Sequence, residues 1–546
     1  MMKTGDVVDR VNRVAISFLS VICLFHVVDF ASRFLLGTQT FFLVDDDPLI
    51  SLRIANNIAH GLGPYFNAGE HVAANTSLSW PFLVAPVFHF TALPEAVLVL
   101  SIISVLLTAI TFALIAFSAT STRSAVLSLA TLLLLPGFIH YAPSTWEHIP
   151  QSIFTTAALL ILLGRPKRLA NYSLPLSLVL LDVAFLLRPD TLPLMVVPGL
   201  VILVQLRHKI RMSSLAALAF TAICMVGYYG LHHFFYGDFV PNTYYLKVAF
   251  GLSSVRVGLV YTAIEAIKCA SPMFIVALVL LWAPNRHAWK SGEQLVLLAL
   301  ILQCIYIILV GGDVFPDGRY YLLILPVAVL LFWEKADEQV FCTAGFKSPI
   351  SALAVALVAA VILTSTLYTI LREEERVSDL HGFSESGYFM PQVTQAQIDQ
   401  IKLVPTIQEH IRPEDGSIGL FWLGALSYYL PGYSATDFLG KADPVIAHEP
   451  VKWGPVGHNK WDIDFSLRNR NIAVIPFALI PEAVAHQNLL NHAPLSGSSD
   501  LELNPYLKQH YVWLSPEQLG VRGQWGLYVR NDLASRFQTG GTSARK

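Results

Sequence analysis

Hydrophobic residues in this chain come in long runs, without the one-face periodicity of a soluble helix. Apolar windows fall near 14–36, 95–118, 124–141, 149–164, 172–187, 190–206, 213–235, 271–284, 293–311, 319–334 and 348–371. Each predicts a membrane-crossing helix, although several fall short of the ~20 residues a perpendicular span needs. Pro81 to Phe90 is apolar but short and holds two prolines, so it reads as a dip into the membrane before the next span. After about residue 372 the pattern changes. Glu373-Glu374-Glu375 ends the hydrophobic region, and short β-like runs such as Ser417–Phe421 and Ile472–Ile475 follow between polar, Pro- and Gly-containing stretches. The predicted organisation is a transmembrane domain over 1–371, with a first external loop at 37–94, and a soluble domain over 372–546.

Composition agrees: 54% of residues are hydrophobic and only 14% charged, against roughly a quarter charged in soluble domains. The net charge of -2 comes with no basic stripe, which argues against nucleic-acid binding. Cys23, Cys224, Cys269, Cys304 and Cys342 lie in or beside apolar stretches without paired spacing, so they read as small buried hydrophobes. Lys3, Arg10 and Arg13 precede the first apolar run and no small-residue cleavage site follows, which predicts an uncleaved first span.

Charge asymmetry sets the expected topology. With the N-terminus in the cytoplasm, Arg123, then Arg165/Lys167/Arg168, Arg207/Lys209/Arg211, Arg286/Lys290 and Lys335/Lys347 all fall in short cytoplasmic loops. The pattern favours eleven spans and an external C-terminal domain.

Polar motifs then gather on the external side. Asp45-Asp46-Asp47 stands where the chain leaves the bilayer, and three adjacent carboxylates at a low-dielectric edge call for a metal ion or a cationic substrate group. Asp47-Pro48 reads as a helix start, with Arg53, Asn56, Asn57 and His60 on one face, Ile50, Ile54 and Ile58 opposite, and Gly61 as terminator. That is the pattern of a short amphipathic helix on the membrane surface. The plain alternative is an interfacial helix with a redundant acidic cap. Other external connections carry Trp146-Glu147-His148, Arg188-Pro189-Asp190, His232-His233, Asn242 to Lys247 with Tyr245, Asp313, and Arg319-Tyr320. A cavity ringed by such groups suits a phospho-sugar: cations hold phosphate, aromatics stack on sugar faces, and carboxylates and amides bond hydroxyls. Arg188 and Asp190 could equally pair with each other across their turn, and His232 and His233 read better as interfacial packing than as ligands.

Asp46-Asp47-Pro48-Leu49-Ile50-Ser51-Leu52-Arg53, Gly61-Leu62-Gly63, Phe66-Asn67-Ala68-Gly69-Glu70 and Thr76-Ser77-Leu78-Ser79-Trp80 resemble the first-loop pattern "DDAYISFRYA…GHGLVFNPGERVEGYTSPLW" of multi-span glycosyltransferases with the GT-C fold. The nearest group is the arabinofuranosyltransferases related to the terminal β-arabinofuranosyltransferase of arabinan assembly (AftB-like). The likeness continues through Thr145-Trp146-Glu147 ("SGLET"), Leu187-Arg188-Pro189-Asp190 ("RPDG"), Pro241 to Lys247 ("PNTYYAK") and Gly311-Gly312-Asp313 with Arg319-Tyr320 ("GGDxFPxxRF"). It ends in Asp437-Phe438-Leu439-Gly440 with Gly457-His458-Asn459-Lys460 ("DLLGL…GHEK"). Departures are Pro48 for a small residue, Ala73-Ala74-Asn75 for "EGY", and His148 for threonine.

The resemblance implies a GT-C transmembrane fold of about eleven helices with a C-terminal extracytoplasmic α/β domain. It implies a polyprenyl-phosphate-linked sugar donor, a glycan or glycoprotein acceptor, and a bacterial cytoplasmic membrane as the setting. Asp46 and Asp47 are the expected catalytic pair, acting as base or nucleophile or holding Mg2+, Mn2+ or Ca2+. Asp45, Arg53, Glu147, His148, Arg188, Asp190, Asn242, Tyr245, Lys247, Asp313, Arg319, Tyr320, His458 and Lys460 are the expected substrate-binding residues. The rival enzyme class is a mannosyl- or aminoarabinosyl-type transferase of the same fold. A polysaccharide or lipid transporter fits less well, because polar clusters sit at span ends and no repeat is visible.

Overall fold

A computed structural model describes residues 45–208, 211–247, 252–268, 271–282, 289–338 except 314 and 316, 356–360, 362–363, 395–452, 456–490 and 496–537. The chain forms two compact units that interleave in sequence. One comprises Leu98–Tyr228 and Phe250–Pro391 with the N-terminal residues, and the other Thr40–Val97, Tyr229–Ala249 and Gln392–Lys546. The first loop therefore belongs to the same unit as the C-terminal segment, not to a separate linear domain.

The first unit is helical. Among the described residues five helices are long and apolar enough to cross a membrane: Leu93–Ser118, Lys167–Leu187, Pro189–Leu206, Met212–Tyr236 and Ser291–Leu309; a bent pair, Ser254–Lys268 with Pro272–Trp282, would make six. The expected span at 14–36, and most of that at 348–371, lies outside the described residues. The windows at 124–141 and 149–164 become helices Thr122–Leu134 and His148–Leu162. At 13 and 15 residues and ~1.5 Å per residue these are shorter than a bilayer core. Leu252–Lys268 went unrecognised in the hydropathy pattern because Arg256, Glu265 and Lys268 break its apolar run. Pro81 to Phe90 forms a short helix, Ser79–Val84, continued by a 3-10 turn, Ala85–His89.

Loop charges assigned to one side of the membrane do meet within this unit. Arg123 pairs with Asp337 at 2.8 Å, Arg165 with Glu334 at 2.6 Å and Lys335 with Glu293 at 2.9 Å.

The second unit is built on a five-stranded sheet ordered β2-β1-β3-β5-β4. The strands are β1 Ser417–Leu420, β2 Ala435–Asp437, β3 Ile472–Phe477, β4 Tyr511–Leu514 and β5 Gly526–Arg530. β1 runs parallel to both β2 and β3, while β5 runs antiparallel to β3 and β4. Phe438, Trp461, Ile463, Ile472, Ile475, Phe477 and Tyr528 pack into its core. Because the chain leaves β1 toward β2 on one side and later returns as β3 on the other, the carboxyl ends of these strands frame a topological switch point, the usual place for a ligand crevice in such sheets.

The first-loop helix, Asp46–Ala59, departs from its expected surface position. Every residue from Pro48 to Asn57 is buried. Its cap is Asp45, with Asp46 and Asp47 in the first turn, so the helix starts two residues earlier than Asp47-Pro48 suggested. Its end is as expected: Gly61 adopts φ +74, and Leu62 donates back to the Asn57 carbonyl at 2.8 Å.

Candidate active site

The second unit brings the acidic pair together with three basic side chains. The Asp46 carboxylate accepts the Gly424 and Ala425 backbone N–H groups, each at 2.9 Å. These sit just beyond the carboxyl end of β1. Gly424 makes the approach possible, since a Cβ there would lie 1.8 Å from the Asp46 carbonyl oxygen. Asp47 pairs with the Lys441 ammonium.

Lys441 stands in the loop after β2, and that loop is fixed from several directions. Asp437 accepts the Leu439 and Ala442 N–H groups at 2.8 Å each. Asn242 donates to the Gly440 and Lys441 carbonyls at 2.7 and 3.1 Å. Asp443 caps the helix Pro444–Ala447 and holds Arg470 at 2.7 Å. Lys247, half-buried, runs alongside Gly457, where an added Cβ would lie 3.2 Å from the Lys247 Cε.

Electrostatics ties the group together. Burial raises the pKa of Asp46, against the opposing effects of Lys441 and the two backbone donors. Burial works against the charge on Lys441, but Asp47 and then Asp46 more than offset it and hold its pKa high. His458 is pushed down to about 3, first by burial and then by Lys441, with Lys247 adding to the effect and Asp47 opposing it. It is a neutral imidazole, and its Nδ1 has no hydrogen-bond partner among the described residues.

Other expected site residues in this unit hold structure. Arg53 is buried and spends its donors on the Phe66, Ser427, Leu430 and Tyr433 carbonyls and the Asn67 side chain. All five of its N–H groups are engaged, which braces the first-loop helix against the Ser427–Tyr433 segment. Lys460 donates to the Tyr245 and Ala447 carbonyls at 3.0 and 2.8 Å. The Tyr245 hydroxyl is turned onto Asp238 at 2.9 Å. His232 bonds the Asp238 carbonyl and His233 stacks on Phe239, as expected for packing. Asp45 is buried beside the pair.

The remaining expected residues form a network within the first unit. Arg188 bonds Glu147 at 2.5 Å and Asp190 at 2.8 Å. His148 lies 3.7 Å from Asp190, and Gln151 donates to Asp190 at 2.7 Å. Arg319 grips Asp313 through two bonds of 2.7 and 2.8 Å and lies 4.1 Å from the Trp146 ring centroid. Tyr320 is buried within 3.5 Å of Arg188. Of the three cations expected to hold phosphate, Arg188 and Arg319 are thus each paired with acids, and Lys247 lies beside Gly457 and His458.

A divalent ion at Asp46 and Asp47 does not suit this arrangement. Both Asp46 oxygens face N–H donors and Asp47 carries an ammonium. Among the described residues no three His, Cys, Asp or Glu side chains converge as a metal site. Lys441, which the sequence reading missed, supplies the cation instead. Its only signal was its place directly after the Asp437–Gly440 motif.

No family model matches the chain. A terminal β-(1→2)-arabinofuranosyltransferase of Corynebacterium glutamicum is 28% identical over 342 residues, covering 53% of this chain and 48% of that protein. The match thus spans about half the length of this curated relative. Among solved structures, ArnT from Cupriavidus metallidurans in the apo state aligns over 96% of this chain and 99% of its own with a TM-score of 0.53 and 13% identity. The archaeal oligosaccharyltransferase AglB from Archaeoglobus fulgidus, in complex with an inhibitory peptide and a dolichol-phosphate, aligns over 94% of this chain and 74% of its own with a TM-score of 0.51 and 13% identity. At such identity these likenesses carry the fold and nothing finer: the chain shares the fold of ArnT and AglB.

Proposed function

We propose that this protein is a membrane glycosyltransferase that moves a sugar, arabinofuranose, from a polyprenyl-phosphate donor to a glycan or glycoprotein hydroxyl on the outer side of a bacterial cytoplasmic membrane. The observation that carries this reading is the cluster of Asp46, Asp47, Lys441, Lys247 and His458 in a chain with the GT-C fold. The corynebacterial relative supports the sugar, and the dolichol-phosphate in the AglB structure supports a lipid-phosphate donor.

The chemistry follows from the two charge signs. Asp47 takes the proton of the acceptor hydroxyl, whose oxygen bonds to the anomeric carbon of the donor sugar. The bond from that carbon to the phosphate oxygen breaks, and its electron pair leaves on the lipid phosphate. Lys441 and Lys247 stabilise the charge that develops there. While Lys441 sits on Asp47, the ion pair occupies the carboxylate that would take the proton. A bound phosphate draws the ammonium away, so the base is released only when a donor is present. Asp46, fixed by two backbone donors, positions its neighbour.

The test is mass analysis of lipid-linked sugars and surface glycans in a strain lacking the protein, with the purified chain assayed on polyprenyl-phosphate arabinose. Accumulated lipid-linked pentose and lost terminal pentose are expected. Accumulated lipid-linked mannose or aminoarabinose would move the assignment to those donors, and an unchanged lipid pool and glycan would overturn the transferase.

A further inference from the structure

We propose that Trp422 and Trp525 form a stacking platform for the acceptor glycan, gripping a sugar residue beyond the one that receives the transfer. This rests on the glycosyltransferase reading. The two rings stand 5.4 Å apart between centroids at 36°, and both side chains are half-buried. They are not core residues. The preceding Phe421 turns inward onto the sheet's hydrophobic cluster, while Trp422 keeps one surface in water.

The position relates the pair to the acidic residues. Trp422 follows the carboxyl end of β1, and Trp525 directly precedes β5, whose Gly526 pairs with Phe477 at the carboxyl end of β3. Both rings thus stand at the switch-point edge of the sheet. Two residues after Trp422, the Gly424 N–H donates to the Asp46 carboxylate at 2.9 Å. Two residues of extended chain span at most about 7 Å, which is within reach of a short oligosaccharide whose end lies at Asp47.

Both supports are fixed. The loop before Trp525 is fastened to Asp399, which accepts the Gln524 N–H at 3.0 Å. Gly523, at φ +143, passes so close that a Cβ would lie 2.7 Å from the Asp399 carboxylate. A rigid, half-wet aromatic pair suits a ligand with an apolar face and a polar rim. A furanose or pyranose ring has this form, with C–H groups on its faces and hydroxyls at its edge. A lipid chain would gain nothing from the water-facing rim.

The experiment uses the full chain in nanodiscs, with wild type, Trp422→Ala, Trp525→Ala and Trp422→Phe. Each is assayed with a monosaccharide acceptor and with a tetrasaccharide acceptor of the same sugar, and tetrasaccharide binding is measured by calorimetry without donor. Each alanine variant is expected to raise KM for the tetrasaccharide by roughly 10-fold, the scale of one lost stacking contact. KM for the monosaccharide and kcat should stay within about 2-fold, and the phenylalanine variant should retain most of the affinity. An unchanged tetrasaccharide KM, an equal loss for both acceptors, or a change confined to donor KM would each overturn the platform. Should wild type transfer no sugar at all, the transferase reading falls, and equal tetrasaccharide binding by wild type and alanine variants would separately overturn the platform.

Discussion

Lys441 and Asp47 stand 394 positions apart in the chain and meet as an ion pair, the ammonium donating to the carboxylate. Neither is freely solvated: their side chains are 9% and 16% exposed. The pair joins the first loop to the turn after β2, and the proposed chemistry depends on opening it.

Asp47→Asn is expected to reduce transfer by at least ~100-fold while leaving a folded, membrane-inserted protein, because the amide cannot accept the hydroxyl proton. Asp46→Asn should cost a similar factor and some stability as well, since an amide nitrogen would face the Gly424 or Ala425 N–H. Asp45→Asn should matter less. Turnover assays on purified variants decide it; near-normal rates for Asp46 and Asp47 would leave these carboxylates as caps.

Lys441→Gln is expected to lower kcat/KM for the lipid donor by about 100-fold, as for loss of one preorganised transition-state donor. Lys441→Arg should restore part of that loss, because charge returns with a different geometry. If Lys441 only neutralises Asp47, the Gln variant would instead turn over at least as fast as wild type wherever the carboxylate is ionised.

Arg319 and Asp313 are each 1% exposed and make two hydrogen bonds to one another. Arg319→Gln alone should destabilise by about 3–5 kcal/mol through the uncompensated acid. Adding Asp313→Asn should recover much of it. Thermal unfolding of both singles and the double measures the coupling. Activity that returns with stability marks a structural pair, whereas a stable but inactive double variant returns Arg319 to the donor site.

Asp437 is pushed up to about 6, chiefly by burial, with the Ala442 and Leu439 N–H groups and Lys441 opposing. A carboxyl whose folded pKa lies above its unfolded value of 3.8 contributes stability that is full below pH ~4 and is lost as pH rises through ~6. The wild-type midpoint should fall across that window relative to Asp437→Asn, by the equivalent of at most ~3 kcal/mol. Parallel pH profiles for the two proteins would exclude the shift.

The charge pattern of the short loops predicts a C-terminal unit outside the cell. In intact cells, Glu517→Cys should react with a membrane-impermeant thiol reagent and Lys290→Cys should not. Labelling in the reverse order would put the proposed site in the cytoplasm and leave a polyprenyl-phosphate sugar on the wrong side.

Most of the helical architecture was legible because long apolar runs have few alternatives in a membrane protein. Leu252–Lys268 was not, since its three charged residues lower the local hydropathy. The aspartate pair stood out as a candidate from three adjacent acids after an apolar run. The partners of Arg53 were not legible for a physical reason: helical spacing shows which residues share a face but not what covers that face. Here the cover is Ser427 to Tyr433, more than 370 positions away. Lys441 was hidden likewise, as one lysine in a loop with no local charge pattern. The motif likeness placed the functional segments in order, but only the folded chain shows that Arg188 and Arg319 are already engaged by acids.

The 394 positions between Asp47 and Lys441 also set a timetable. At about 5–20 residues per second of synthesis, the first loop waits on the order of 20–80 s for its partner. During that interval Asp46, Asp47 and the donors of Arg53 lack the backbone groups and ammonium that satisfy them in the finished protein. The nascent chain therefore spends most of its synthesis with an inert first loop. On the proposed function, transfer would begin only after the C-terminal sheet has folded, and a truncated or stalled product would not consume lipid-linked sugar.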